Sequence, residues 1–292
     1  MFVITGATGH IGGGIAERLL AEGKKVKAVA RNRSKLARLE KKGAEIAEGN
    51  LDDTLFLAKA LAGAEGAFFL IPPDLQAQDL AAYQDRIGAS IAKAVAESGI
   101  KHVIALSSAG ADLPSGNGPI AGVHRQEKRL NAIATANVLH LRPAYFMENF
   151  MASIPMIKNM GILGSPLKAD VRFPMIATRD IAEHAAKRLA RKDFPGKGVQ
   201  ELLGARDVSM QEATRILGKA IGKPDLAYVQ FPYEDALKGM IGAGLSKSVA
   251  EAFVEMNQAF NEGAVKVKRT PESTTPTSIE DFSGEFALAY QS

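Results

Sequence analysis

The chain opens with an apolar run, Phe2–Thr5, that passes without a spacer into Gly6-Ala7-Thr8-Gly9-His10-Ile11-Gly12, after which Ile11–Ala21 has helical spacing. A strand that enters a helix through G-x-x-G-x-x-G admits few folds. Gly6 permits the tight turn, Gly9 lets the backbone approach a pyrophosphate, and Gly12 lets the helix pack closely on the strand. The helix start then offers free N–H groups and a positive dipole end to phosphates. Thr8 adds a hydroxyl, and His10 and Ile11 complete the loop as candidate cofactor contacts.

The rest of the first half repeats the same alternation. Short runs rich in Val, Ile, Leu, Phe and Ala occur at Val26–Ala30, Ala44–Ala47, Ala67–Ile71, Val103–Leu106 and Val138–Leu141. Their length predicts buried strands. Helical stretches lie between them at Lys35–Lys41, Leu55–Leu61, Gln78–Glu97 and His124–Ala134, with Asp52 and Asp53 able to cap the second of these. The pattern predicts an α/β Rossmann fold, a doubly wound parallel sheet, with cofactors at the carboxyl ends of its strands.

Past about residue 145 the alternation loosens. Loops are expected around Gly161, Gly164 and Pro166. A helix is expected at Asp180–Arg191, a strand at Val199–Leu203, and helices at Met210–Ile221, Tyr233–Ile241, Ser246–Asn261 and Ile279–Tyr290. The expected organisation is a dinucleotide-binding domain over residues 1–150 and a smaller mixed α/β part over 151–292. Segments of that second part can return to the Rossmann sheet. With 292 residues, 46% of them hydrophobic, a sizeable core is available.

The second strand points to the choice of dinucleotide. An NAD site usually places a carboxylate at its end for the ribose 2′-hydroxyl. Here Val26–Ala30 is followed by Arg31, with Arg33 and Lys35 beyond. A guanidinium matches a 2′-phosphate, so NADP(H) is the expected cofactor, with Arg31 and then Arg33 as its contacts. Lys41 and Lys42 read as a solvated basic face.

The glycine loop, Arg31, Leu141-Arg142-Pro143 with Phe146-Met147-Glu148-Asn149, Thr178-Arg179-Asp180-Ile181 and the closing Thr275-Pro276-Thr277-Ser278 with Phe282 together resemble the NmrA-like proteins. These are atypical short-chain dehydrogenases/reductases. The resemblance spans nearly the whole chain. It implies dinucleotide binding, and it implies either NAD(P)H-dependent reduction of quinones and related acceptors or non-catalytic redox sensing. It also implies that Asn50 and Leu51 lie near the adenine, Asn50 standing where many relatives carry Asp. Pro72 and Pro73 would lie beside the cofactor, and Pro143, Tyr145 and Phe146 near the nicotinamide.

The superfamily's reductive chemistry commonly uses Ser with Tyr and Lys spaced Y-x-x-x-K. Ser107 and Ser108 follow the fifth strand, and the next helix carries His124 and Lys128 one turn apart. Ser108, His124 and Lys128 are thus the candidate catalytic residues; Ser107 and Lys128 are also candidate cofactor contacts. Histidine stands where tyrosine would be. Three readings stay open: His124 donates the proton, Lys128 positions the cofactor without a protein acid, or the site only senses.

Other classes find little support. There is no cysteine, and no two of the five histidines have i, i+3 or i, i+4 spacing, so no metal site is expected. A net charge of +4 suits an anionic cofactor and does not call for nucleic acid. No apolar run spans a bilayer and the N-terminus reads as a strand, so a cytoplasmic location without membrane contact is expected. The leading expectation is an oxidoreductase passing hydride from NADPH to a quinone or small carbonyl-like substrate. The alternative is a redox sensor with a protein partner, and a sugar epimerase or dehydratase comes third for want of the tyrosine.

Overall fold

The apolar runs become adjacent strands of one sheet. The computed structural model describes residues 1–292. Through the first half the chain forms β1 (Phe2–Ile4), α1 (His10–Ala21), β2 (Val26–Ala30), a 3-10 turn at Arg33–Leu36 leading into α2 (Ala37–Lys41), β3 (Glu45–Glu48), α3 (Thr54–Leu61), β4 (Gly66–Phe69), α4 (Leu80–Ser98), β5 (His102–Leu106), α5 (Ile120–Asn131) and β6 (Asn137–Pro143). It continues through β7 (Tyr145–Phe146), a 3-10 stretch at Met147–Ser153, α6 (Ile154–Met160), β8 (Ile162–Ser165), β9 (Arg172–Ile176), α7 (Thr178–Arg191), β10 (Lys197–Leu202), β11 (Asp207–Ser209), α8 (Met210–Ala220), β12 (Ala227–Gln230), α9 (Tyr233–Gly242), α10 (Lys247–Asn261) and α11 (Ile279–Gln291).

The main sheet has seven strands in the order β10-β6-β5-β4-β1-β2-β3, every pair parallel. The order reverses between β1 and β4, which puts the ligand crevice at their carboxyl ends. Strand pleating sends Phe2 and Ile4 into one core with Ile15 and Leu19 of α1 and Ile181 and Leu189 of α7. Val3 goes to the opposite core with Leu57, Ile91, Val95 and Leu130 of α3, α4 and α5. Two elements from the second half therefore complete the Rossmann layer: α7 packs beside α1, and β10 extends the sheet at β6.

A third core gathers Phe150, Phe173, Leu217, Phe282 and Phe286 from the remaining helices and two small sheets, β11-β9-β7 and β12-β8. These short strands were not expected, and Gly164, read as a loop residue, lies within β8 and pairs with Val229. Two to five residues of mixed polarity carry too little periodicity to signal a strand. The helix expected from His124 begins instead at Ile120 and ends at Asn131. Gly118 (φ +59°) turns the chain, Pro119 sets the entry, and the buried Asn117 side chain donates to the Gly110 and Leu113 carbonyls at 2.9 and 3.0 Å. Packing of α5 on α4 and β6 buries Ile120, Gly122, Gln126, Glu127 and Leu130, and this sets which face of the helix looks inward, with consequences for the site.

Candidate active site

The glycine loop is held by close backbone contacts. Gly6 has φ +61°, and a Cβ on Gly12 would lie 2.4 Å from the Gly6 carbonyl oxygen and 2.5 Å from that of Thr5. Only glycine permits this approach of α1 to β1. Gly9 N–H turns back to the Gly6 carbonyl at 3.0 Å, and α1 starts at His10 without a side-chain cap or an acidic residue in its first turn. The His10, Ile11 and Gly12 N–H groups make no hydrogen bond inside the protein. Three orphan donors at a helix start, on residues that line a cleft beside Thr8, suit a pyrophosphate.

These residues floor a cleft of about 650 Å³ at the carboxyl ends of β1, β4 and β5. Leu70–Pro73, Leu106–Ser108, Phe146, Glu148, Asn149 and Thr178 continue the floor, and Ile120 and Val123 of α5 form a side. The far wall comes from distant sequence: Val249 and Phe253 of α10 face Leu75 and Leu80. Ser246 anchors that wall, its N–H donating to the Leu75 carbonyl at 2.9 Å and its hydroxyl to that of Ala77 at 2.6 Å. Tyr83 also lines the cleft, but its hydroxyl donates to the Pro72 carbonyl at 3.0 Å; burial, then the Asp74 charge, raises its pKa.

A second, polar recess of about 360 Å³ adjoins the loop, lined by Thr8, Gly9, His10, Gly13, Gly14, Glu17, Lys35 and Arg38 among others. Arg31 is exposed just past β2 and has no ion-pair partner. Arg33, by contrast, is paired with Glu40. Arg38 and Lys42 share Glu17, each at 2.9 Å. Asn50 is exposed and Leu51 half-buried against the α3–α4 core; neither lines the cleft.

The candidate catalytic residues separate. Ser108 lines the cleft and donates to the Ala109 carbonyl at 3.0 Å. His124 and Lys128 do not line it: Lys128 is exposed, and His124 Nδ1 contacts the Ala111 carbonyl at 2.7 Å. The physical reason is the helix phase. The positions one turn apart on the inner face are Val123, which lines the cleft, and Glu127, which is buried behind Ser107. Ser107 Oγ donates to Glu127 Oε1 at 2.5 Å, and Arg142 grips the same carboxylate through Nε at 2.9 Å and Nη2 at 2.6 Å. Sequence reasoning passed over Glu127 because a lone Glu on a charged helix reads as solvated.

Strand alternation divides the next segment. Phe146 faces the cleft, whereas Tyr145 turns to a separate cavity of about 90 Å³, stacked edge-on against Phe150 and Phe173. Burial raises the Tyr145 pKa strongly. Pro143 is buried at the end of β6 and does not line the cleft. The Glu148 carboxylate accepts the Thr178 N–H at 2.8 Å and hydroxyl at 2.5 Å, fastening the 3-10 stretch after β7 to the start of α7. Asp180, buried, accepts the Thr277 N–H at 3.0 Å and hydroxyl at 2.7 Å. Through Asp180, the start of α7 thus clamps the closing segment onto the fold.

The model of the NmrA-like family matches residues 1–282. The chain belongs to the NmrA-like family. Among relatives of this NmrA-like protein, an NAD(P)H azoreductase of Xenophilus azovorans is 30% identical over 266 residues, 88% of this chain and 86% of that one. A (4-alkanoyl-5-oxo-2,5-dihydrofuran-3-yl)methyl phosphate reductase of Streptomyces griseus is 27% identical over 99% of both. The NADPH-dependent quinone oxidoreductase of Escherichia coli, solved with NADPH, superposes with a TM-score of 0.83 at 22% identity over 98% of this chain and 99% of its own. The triphenylmethane reductase of Citrobacter sp., solved with NADP(H), gives 0.81 at 22% identity over 98% and 99%. These likenesses establish the shared Rossmann fold.

Proposed function

We propose that this NmrA-like protein is an NADP(H)-dependent oxidoreductase whose acceptor is a quinone or another flat, largely apolar molecule. The observation that carries the reading is the uncapped start of α1, whose free N–H groups open onto a cleft with an apolar far wall. The loop Gly6–Gly12 holds the pyrophosphate; Lys35 lines the adjoining recess, and Arg31, exposed just past β2 and outside the lining of both cavities, reaches over to the 2′-phosphate. Bound there, the nicotinamide supplies the hydride. Phe146, Met151, Val249 and Phe253 pack against the acceptor and exclude water from the reacting faces.

The inner face of α5 carries Val123 and Glu127 where a tyrosine and lysine would serve a ketone reductase. Hydride addition turns a quinone into a delocalised hydroquinone anion that is stable enough to collect its proton afterwards from water, whereas a simple ketone would become a strongly basic alkoxide and needs a positioned acid. The relatives named as an azoreductase and a quinone oxidoreductase act on conjugated acceptors of this kind. The same missing pair favours a second reading, a sensor that binds NADP(H) without turnover and changes its affinity for a protein partner.

The test is NADPH oxidation by the purified chain with quinones, azo dyes and simple ketones. Turnover on the conjugated acceptors and not on the ketones is expected. Binding without turnover on any acceptor overturns the reductase in favour of the sensor.

A further inference from the structure

Ser107 sits at the end of β5, 7% exposed, and lines the cleft. A serine hydroxyl has one proton and two lone pairs. That proton is taken up by Glu127 Oε1 at 2.5 Å, and no protein group donates to Ser107 Oγ. The acceptor is firmly charged: burial opposes ionisation of Glu127, but the two Arg142 bonds and the serine outweigh it and hold the carboxyl below its usual range. The same pair raises the Arg142 pKa. A carboxylate only accepts. If Ser107 turned its proton toward the cleft, its oxygen would face Glu127 Oε1 without a hydrogen between them, losing a charge-assisted bond in a buried setting.

We infer that Ser107 presents an acceptor, not a donor, to the cleft, with Glu127 as the positioning residue that fixes this polarity and Arg142 as its counter-ion. The subsite at the end of β5 therefore takes an N–H or O–H group of its ligand. This rests on the reading that the cleft binds a dinucleotide and an acceptor. Two ligand groups have the required chemistry: the carboxamide NH2 of the nicotinamide, and a ring hydroxyl or amine of the acceptor.

Glu127→Gln distinguishes polarity from packing. The amide keeps the shape but loses the charge, and because Oε1 takes both the Ser107 hydroxyl and Arg142 Nε while Oε2 takes Arg142 Nη2, its NH2 meets an Arg142 N–H in either orientation, so the hold on the serine proton loosens. Calorimetry on the full chain compares NADP+ with its acetylpyridine analogue, in which a methyl group replaces the amide NH2. With the carboxamide as source, wild type prefers NADP+ by about tenfold, the yield of one hydrogen bond. Ser107→Ala abolishes the preference and Glu127→Gln weakens it. With the acceptor as source, the same pattern appears in the KM ratio of a naphthoquinone and its hydroxylated form. Unchanged ratios in both pairs overturn the inference while leaving the proposed function intact. Failure of wild type to bind NADP+ overturns both. Should Glu127→Gln not fold, Ser107→Ala decides alone, since it breaks no ion pair.

Discussion

Replacing Gly12 by alanine tests the cradle most directly. The added Cβ would stand 2.4 Å from the Gly6 oxygen and 2.5 Å from the Thr5 oxygen, where ordinary contact begins at 3.4 Å. Both obstacles are backbone atoms of the turn, so no rotamer change relieves them, and α1 must retreat by roughly 1 Å. Overpacking of this kind costs about 1–3 kcal/mol. Alanine in a helix returns up to about 1 kcal/mol of that, leaving a net loss of up to about 2 kcal/mol. Gly239, within α9, is the control: its Cβ would meet nothing within 4 Å. Gly239→Ala should therefore stabilise by about 0.5–1 kcal/mol. Urea denaturation reads the two stabilities, and NADPH titration of the folded proteins reads the cradle. Gly12→Ala should bind at least about tenfold more weakly, because phosphate contacts tolerate little displacement of the helix start. A Gly12→Ala protein as stable and as tightly binding as wild type would refute the close approach of α1 to β1.

Arg31→Ala should weaken NADPH by about tenfold or more and NADH little, since only the former carries the 2′-phosphate; equal losses in titrations of both would displace that phosphate from β2. Lys128→Ala should leave NADPH affinity and any turnover near wild type, because the side chain is exposed away from the cleft; a large loss in either assay would require α5 to be rotated from the phase described. His140 is buried, bonds Asn131 Oδ1 through Nε2 at 2.8 Å, and has its pKa pushed down to about 4 chiefly by burial. Its folded pKa lies below the unfolded value of about 6.5, so its contribution is present above that value and is lost as pH falls toward 4. About 2 kcal/mol should disappear between about pH 7 and about pH 5; urea midpoints of His140→Gln should fall less over that interval, and identical pH dependence would refute the assignment.

What the sequence disclosed follows the range of the interactions involved. The glycine loop, its strand and its helix are contiguous, so their spacing alone located the floor of the cleft. The buried strands of the main sheet declared themselves through unbroken apolar runs. The phase of α5 was different. The spacing of His124 and Lys128 puts them on one face but does not say which face looks inward. Packing on α4 and β6 settles it, turning Val123 to the cleft and burying Glu127. Likewise, the two-residue β7 sends Tyr145 and Phe146 to opposite sides, which only its pairing with Met175 and Ile176 of β9 decides. Val249 and Phe253 gave no local sign of a ligand, because their place over the cleft depends on contacts with Leu75 and Ala77 about 170 positions earlier.

That last arrangement separates two kinds of molecular memory. The face proposed to hold the phosphates is written in residues 6–12, while the wall opposite is written in α10. A substitution at Val249 or Phe253 reshapes the space offered to the acceptor without moving a backbone atom of the phosphate loop. Such a protein can drift from one conjugated molecule to another while its source of reducing power stays constant. The repertoire of acceptors is then an adjustable property of a single helix carried on a fixed engine.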